Sequence, residues 1–179
     1  MDKRVSDLSG GQARRIEIMK AFLGSPSLLL LDEPTNGLDP QSRKDFWTEV
    51  KALSKRKNCT VVVTTHLIEE AEVCDELVFM SEGRCVGQGQ PKAMRESLGY
   101  EILQIEAPHI EEKKTETLNL LKTGEKAEVV GDTLRIFTSR PAELFEILRQ
   151  KWPAEIQRIE WAKPTLADVY FEKTGKSFS

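Results

Sequence analysis

The sequence predicts an α/β protein: a parallel sheet with helices in the first hundred residues, then a smaller α+β unit. Three observations carry this. Residues 28–31 (LLLL) and 61–63 (VVV) are continuous apolar runs bounded by turn residues, as in strands covered on both faces. Helix-period segments alternate with them. Beyond residue 99 the apolar pattern changes to strict alternation, so each later strand has one wet face.

The first element is a helix over residues 12–24, where Ile16, Met19, Ala21, Phe22 and Leu23 recur at near-helical spacing and Gly24 with Pro26 closes it. DLSGGQ leads into it. Ser9 reads as the N-cap and Gln12 stands at the capping-box position. Gly10 and Gly11 cost the first turn about 1 kcal/mol each relative to Ala. Glycine lets another group approach the backbone closely, and a helix N-terminus offers N–H donors that suit a phosphate. A plain capped entry into a helix fits the same residues.

SLLLLDEP follows as a buried strand, TNGLDP as turn chemistry, and residues 40–56 as a helix with Pro40 in its first turn. Asp39 fits an N-cap before Pro40, and Lys55, Arg56 and Lys57 complement the dipole at the helix end. CTVVVTTH is the second buried strand, LIEEAEVC a short helix, and DELVFM, SEGR and CVGQGQ a strand, a turn and a strand. Residues 91–98 form a short helix. From about residue 100 the order is EILQIEA, a polar helix near 109–122, KAEVVG, DTLRIFT, a helix at 141–151 and EIQRIEWA. That β-α-β-β-α-β order predicts a small ferredoxin-like unit, and KPTLADVYFEKTGK adds a terminal helix. The expected boundary divides the chain into residues 1–97 and 98–179.

Composition narrows the function. A net charge of −3 argues against a general nucleic-acid binder. No apolar run approaches the roughly 20 residues of a membrane helix, and MDKRVSDLSGG has no hydrophobic stretch behind its charges, so no secretory signal is visible. Cys59, Cys74 and Cys85 are odd in number and lack metal-type spacing, which points to reduced thiols in a cytosolic protein. Any membrane contact is therefore expected through a partner.

The chemistry gathers at strand ends. Asp32 and Glu33 stand at the C-terminal end of a buried strand, where open α/β sheets bind ligands. Adjacent carboxylates repel unless a cation sits beside them, and magnesium with a nucleotide is the natural candidate. Asp32 would hold the ion, and Glu33 would polarise a water attacking the terminal phosphate. His66 ends the next buried strand, on the same sheet edge as Glu33. Taken singly, these residues also fit a solvated strand exit and a polar strand-to-helix turn.

LSGGQ, LLLLDEP, GLDP and VVVTTH, in this order and spacing, resemble the ATP-binding-cassette (ABC) ATPases over residues 1–97, roughly the second half of such a domain. The resemblance implies a partial P-loop NTPase (RecA-like) sheet. It makes LSGGQ the signature motif, with Ser9, Gly10, Gly11 and Gln12 touching a nucleotide cradled by a second subunit facing head to tail. It makes LLLLDEP the Walker B strand, with Asp32 at the magnesium position and Glu33 at the catalytic base. It makes NGLDP, with Asp39, the D-loop, and His66 the switch histidine. VFMSEGRCVGQGQP resembles the hairpin that closes these domains, and PTLADVYFEKTG the closing segment of ATPase subunits of multidrug and antibiotic (ABC-2) exporters. ATP and Mg2+ are the implied cofactors. A second ATPase subunit and integral membrane permeases are the implied partners, with the chain held at the inner face of the cell membrane.

The departure is large: nothing matches G-x-x-x-x-G-K-[ST], and the glutamine loop is absent too. The strand leading into that loop normally lies between the strand ending at His66 and the one around 77–80. The isolated chain is therefore expected to be marginally stable and not to hydrolyse ATP by itself. A chromosome-maintenance ATPase head shares the same motifs but requires flanking heptads, which are not seen. A non-enzymatic module supplying the trans half of a partner's ATP site is the reading from a different class.

Overall fold

A computed structural model describes residues 10–176. Its order is α1 (Gly10–Leu23), β1 (Leu28–Asp32), α2 (Pro40–Lys57), β2 (Thr60–Thr64), α3 (Ile68–Ala71), β3 (Leu77–Ser81), β4 (Arg84–Gly89) and α4 (Pro91–Glu96). Then come β5 (Glu101–Glu106), α5 (Ile110–Leu118), β6 (Lys126–Val130), β7 (Thr133–Thr138), α6 (Pro141–Lys151), β8 (Arg158–Ala162) and α7 (Leu166–Thr174). No described helix is long and apolar enough to cross a membrane.

The chain divides into two compact units, Met1–Val73 (with Ser179) and Cys74–Phe178. This division lies upstream of the boundary expected at 97–98. The β3–β4 hairpin and α4 group with the C-terminal unit because α7 packs on both α4 and β4. Phe79 and Tyr170 meet edge to face at 5.4 Å, and Lys176 pairs with Glu82.

In the N-terminal unit β1 and β2 pair in parallel, from Leu28 opposite Thr60 to Asp32 opposite Thr64. Leu29, Leu31, Val61 and Val63 face α1 and α2, packing around Ile18, Phe22, Phe46, Trp47, Val50 and Cys59. The expectation that both strands are covered on both faces does not hold. Side chains alternate across a strand, and the other face leaves Leu28 (52%), Leu30 (69%) and Val62 (49%) open. The helices cover one side only, and a continuous apolar run does not say which elements will cover it. Met19 and Leu23, read as part of the helix's apolar stripe, are exposed as well, while Ile18 and Phe22 make the actual contact.

In the C-terminal unit the sheet order is β6-β7-β5-β8, with every neighbour antiparallel. This is the ferredoxin-like arrangement that β-α-β-β-α-β connectivity produces. Its core is Leu103, Ile105, Leu134, Ile136, Leu144, Leu148 and Trp152, with Ile110, Phe145 and Ile159 packed around it. The α5 helix stops at Leu118, short of the expected 122. The segment after it folds back instead, with the Lys122 amide donating to Glu125 at 2.7 Å and Arg140 gripping both Glu125 oxygens at 3.1 Å.

Candidate functional site

The parallel pairing of β1 and β2 ends at Asp32 and Thr64, which sets their side chains side by side. The Thr64 hydroxyl donates to the Asp32 carboxylate. One residue on, the Glu33 amide donates to the Thr64 carbonyl at 3.0 Å, continuing the ladder. Glu33 then turns the chain with φ +40, a left-handed conformation that costs a non-glycine residue about 1–3 kcal/mol. The turn closes with the Asn36 amide donating to the Glu33 carbonyl at 3.2 Å.

This turn aims Glu33 along the sheet edge. Its Oε1 lies 3.1 Å from Nδ1 of His66, just beyond β2, and Asn36 Nδ2 reaches its other oxygen at 3.5 Å. A carboxylate at Nδ1 requires a proton there, so in the neutral tautomer Nε2 is left as an acceptor. Both side chains are about half exposed, and a ligand can reach them. Asp32, Glu33 and His66 thus gather at one end of two strands.

The other sequence candidates are placed differently. Ser9 lies outside the described residues. Gly10, Gly11 and Gln12 form the opening turn of α1. Asp39 caps α2, accepting from the Ser42 amide at 3.0 Å, and hydrogen bonds from Ser42 hold its carboxyl below the usual range.

Behind the turn lies a buried polar layer that the sequence reading missed. Glu70, on α3, is only 1% exposed, and the equally buried Thr35 donates its hydroxyl to it. Arg43 Nε, from the first turns of α2, lies 4.0 Å from the same oxygen. Arg14 of α1 donates to the Pro34 carbonyl at 2.6 Å. Two helices, α1 and α3, are thus tied to the two residues that follow Glu33, and α2 reaches the same layer through Arg43 beside Glu70. The acidic pair in LIEEA offered the only signal for Glu70, and an acid in a helix's first turn usually faces water.

The family model described as ABC transporter matches residues 1–36. Nod factor export ATP-binding protein I of Rhizobium johnstonii is 35% identical over 175 residues, covering 97% of this chain and 54% of the relative. The Rhizobium etli protein of the same name is 36% identical over 180 residues, covering 98% and 54%. Along nearly its whole length the chain is similar to ABC transporter ATPases. It spans about half the length of the curated relatives it matches. The Cupriavidus metallidurans protein of that name is 35% identical over 177 residues, covering 98% and 56%. A solved ATP-binding subunit of an ABC transporter matches 53% of this chain and 40% of its own at 28% identity, with a TM-score of 0.44. The chain carries Asp32 and Glu33 at the end of a parallel strand within a mixed α/β fold.

Proposed function

We propose that this chain contributes the water-activating part of an ATP site in the ATPase subunit of an export transporter. The observation that carries the reading is the 3.1 Å contact between Glu33 and His66, with Asp32 one residue away. Glu33 is the general base that takes the proton of the attacking water. His66, held at its Nδ1 by Glu33, would donate to the terminal phosphate through Nε2–H as the imidazolium, the form in which both ring nitrogens carry a proton. Asp32 is the carboxylate for Mg2+, and its partner Thr64 fixes its orientation.

These donors fit magnesium. They are hard oxygens, and among the described residues no cluster of three His, Cys, Asp or Glu forms a protein-only metal cage. Magnesium commonly binds through one or two carboxylates together with substrate phosphates. When bound with ATP it supplies neutralisation of phosphate charge. The phosphate cradle lies outside these 179 residues, since no G-x-x-x-x-G-K-[ST] motif occurs among them. Ser9, Gly10, Gly11 and Gln12 would face the nucleotide of a second subunit, and Asp39 belongs to the turn between the two sites. The relatives are named for Nod factor export, which favours an exporter working with membrane permeases from the cytoplasmic side.

The test joins this chain to the phosphate-loop half of a curated relative and measures phosphate release with Mg-ATP. The expected result is turnover that requires both parts and is abolished by Glu33→Gln and His66→Ala. Turnover indifferent to both substitutions overturns the reading.

A further inference from the structure

A second site lies wholly within the C-terminal unit: a cavity of about 900 Å³ lined by residues of α4, the start of α6 and the end of β8. Its origin is in the sheet. Leu103, Ile105 and Ile159 share a face with the α6 residues Leu144 and Leu148 in one core. Trp161 stands opposite Leu103 in the β5–β8 register, on that same face, yet it is 54% exposed. Helix cover ends here because α6 begins at Pro141, itself part of the cavity wall. The apolar core surface therefore runs out into open space and finishes on an indole ring.

The polar groups around that ring are mostly engaged. The Trp161 N–H donates to Glu101, which leaves the ring itself as contact surface. Glu143 is held by Arg140 at 2.7 Å, and Glu96 by Lys92 at 3.8 Å. Every lining carboxylate thus has a donor. Lys163 differs. It follows Trp161 by two residues, just past the end of β8, lines the same cavity, and makes no ion pair or hydrogen bond among the described residues. Four cations, Lys92, Arg95, Arg140 and Lys163, line the cavity against three carboxylates, Glu96, Glu101 and Glu143, so its net charge is positive and Lys163 is the cation beside the aromatic ring that holds no partner among the described residues.

We propose that this cavity binds a small planar aromatic anion, with its ring against Trp161 and its carboxylate or sulfonate on Lys163. The volume is within the range of about 300–1,000 Å³ typical of small-molecule pockets. The proposal is independent of the ATP site.

The test uses the full 179-residue chain, with 2-naphthalenesulfonate as the anionic probe and 2-naphthalenemethanol as its neutral counterpart. Titration calorimetry measures affinity. Tryptophan emission reports the place, since Trp47 and Trp152 are buried and Trp161 is the accessible indole. The sulfonate is expected to bind saturably and quench Trp161. The alcohol and the Lys163→Ala variant should each bind about fivefold more weakly, the scale of one exposed ion pair. Lys163→Glu should remove measurable binding, and Lys51→Ala, in the other unit, should change nothing. Lys163 is exposed, and circular dichroism verifies that its variants fold. Equal affinity for the sulfonate and the alcohol, undiminished binding by Lys163→Ala, or no saturable binding overturns the proposal.

Discussion

The two units close their cores to different degrees. In the C-terminal unit four strands and two helices bury Leu103, Ile105, Leu134, Ile136, Leu144 and Leu148 completely. In the N-terminal unit two strands hold the Asp32 and Glu33 carboxylates, and the face opposite α1 and α2 shows Leu28, Leu30 and Val62 to solvent. Among the described residues β1 and β2 each have a single strand neighbour, so each keeps an open edge. A bare apolar face beside open edges marks a surface for association. The N-terminal unit therefore leaves one whole sheet face and two strand edges for something else to cover, whereas the four-stranded sheet of the other carries a core closed by its own helices.

The largest effect separates the chemistry from the scaffold. Glu33→Gln should lower turnover of the complemented ATPase by about 10²–10⁴-fold, the worth of a positioned general base. It should leave the melting temperature unchanged, because the half-exposed carboxylate is replaced by an amide of the same shape. Phosphate release and thermal melting of the same sample check both parts. A melting shift with turnover intact would return Glu33 to a structural role.

Next comes the contrast between the cores. Leu144→Ala empties space in a fully buried site and should cost about 2–5 kcal/mol. Leu30→Ala trims an exposed side chain and should stay within about 0.5 kcal/mol. Urea unfolding of the two variants measures the ratio. Comparable losses would mean that the open face of β1 is covered in solution.

How much of this was legible follows from where each property is encoded. The strands at 28–32 and 60–64 were legible because four leucines and three valines between turn residues have few other uses. The ferredoxin-like order was legible because alternation in 101–106, 133–138 and 158–162 marks strands with one wet face. The meeting of Glu33 and His66 followed from parallel strands ending at one edge. One-sided burial of β1 was not legible, since an apolar run records a demand for cover and not its supply. Glu70 was not legible either. Its burial arises where Thr35 and Arg43, 35 and 27 residues away in sequence, converge on it.

That buried layer gives a smaller, sharper test. Thr35→Val keeps the side chain's shape but withdraws a donor from the Glu70 carboxylate. The expected cost is about 1–3 kcal/mol, confined to the N-terminal unit, as for a buried polar group losing a partner. Amide hydrogen exchange distinguishes the units: protection should fall in α2 and β2 and hold in β5 and β7. A uniform loss across both units would dissolve the distinction between them.

The smallest effect concerns acid. Burial alone would raise the Asp168 carboxyl, but the Thr165 amide and hydroxyl and the Arg135 guanidinium outweigh it and hold it below the usual value of 3.8. The unfolded chain therefore takes up this proton first as pH falls. The contribution to stability is complete above about pH 4 and is lost as pH drops through the lower folded value. Glu125, held down by the Lys122 amide, Thr138 and Arg140 against the same burial, acts in the same direction. Acid should thus weaken the C-terminal unit through two buried carboxylates, and Asp168→Asn should flatten part of that acid limb while lowering stability at neutral pH. Melting temperatures between pH 2 and about 7 for both proteins decide it. An unchanged acid limb in Asp168→Asn would mean that Arg135 and Thr165 hold the chain by geometry alone, without drawing on the carboxylate's charge.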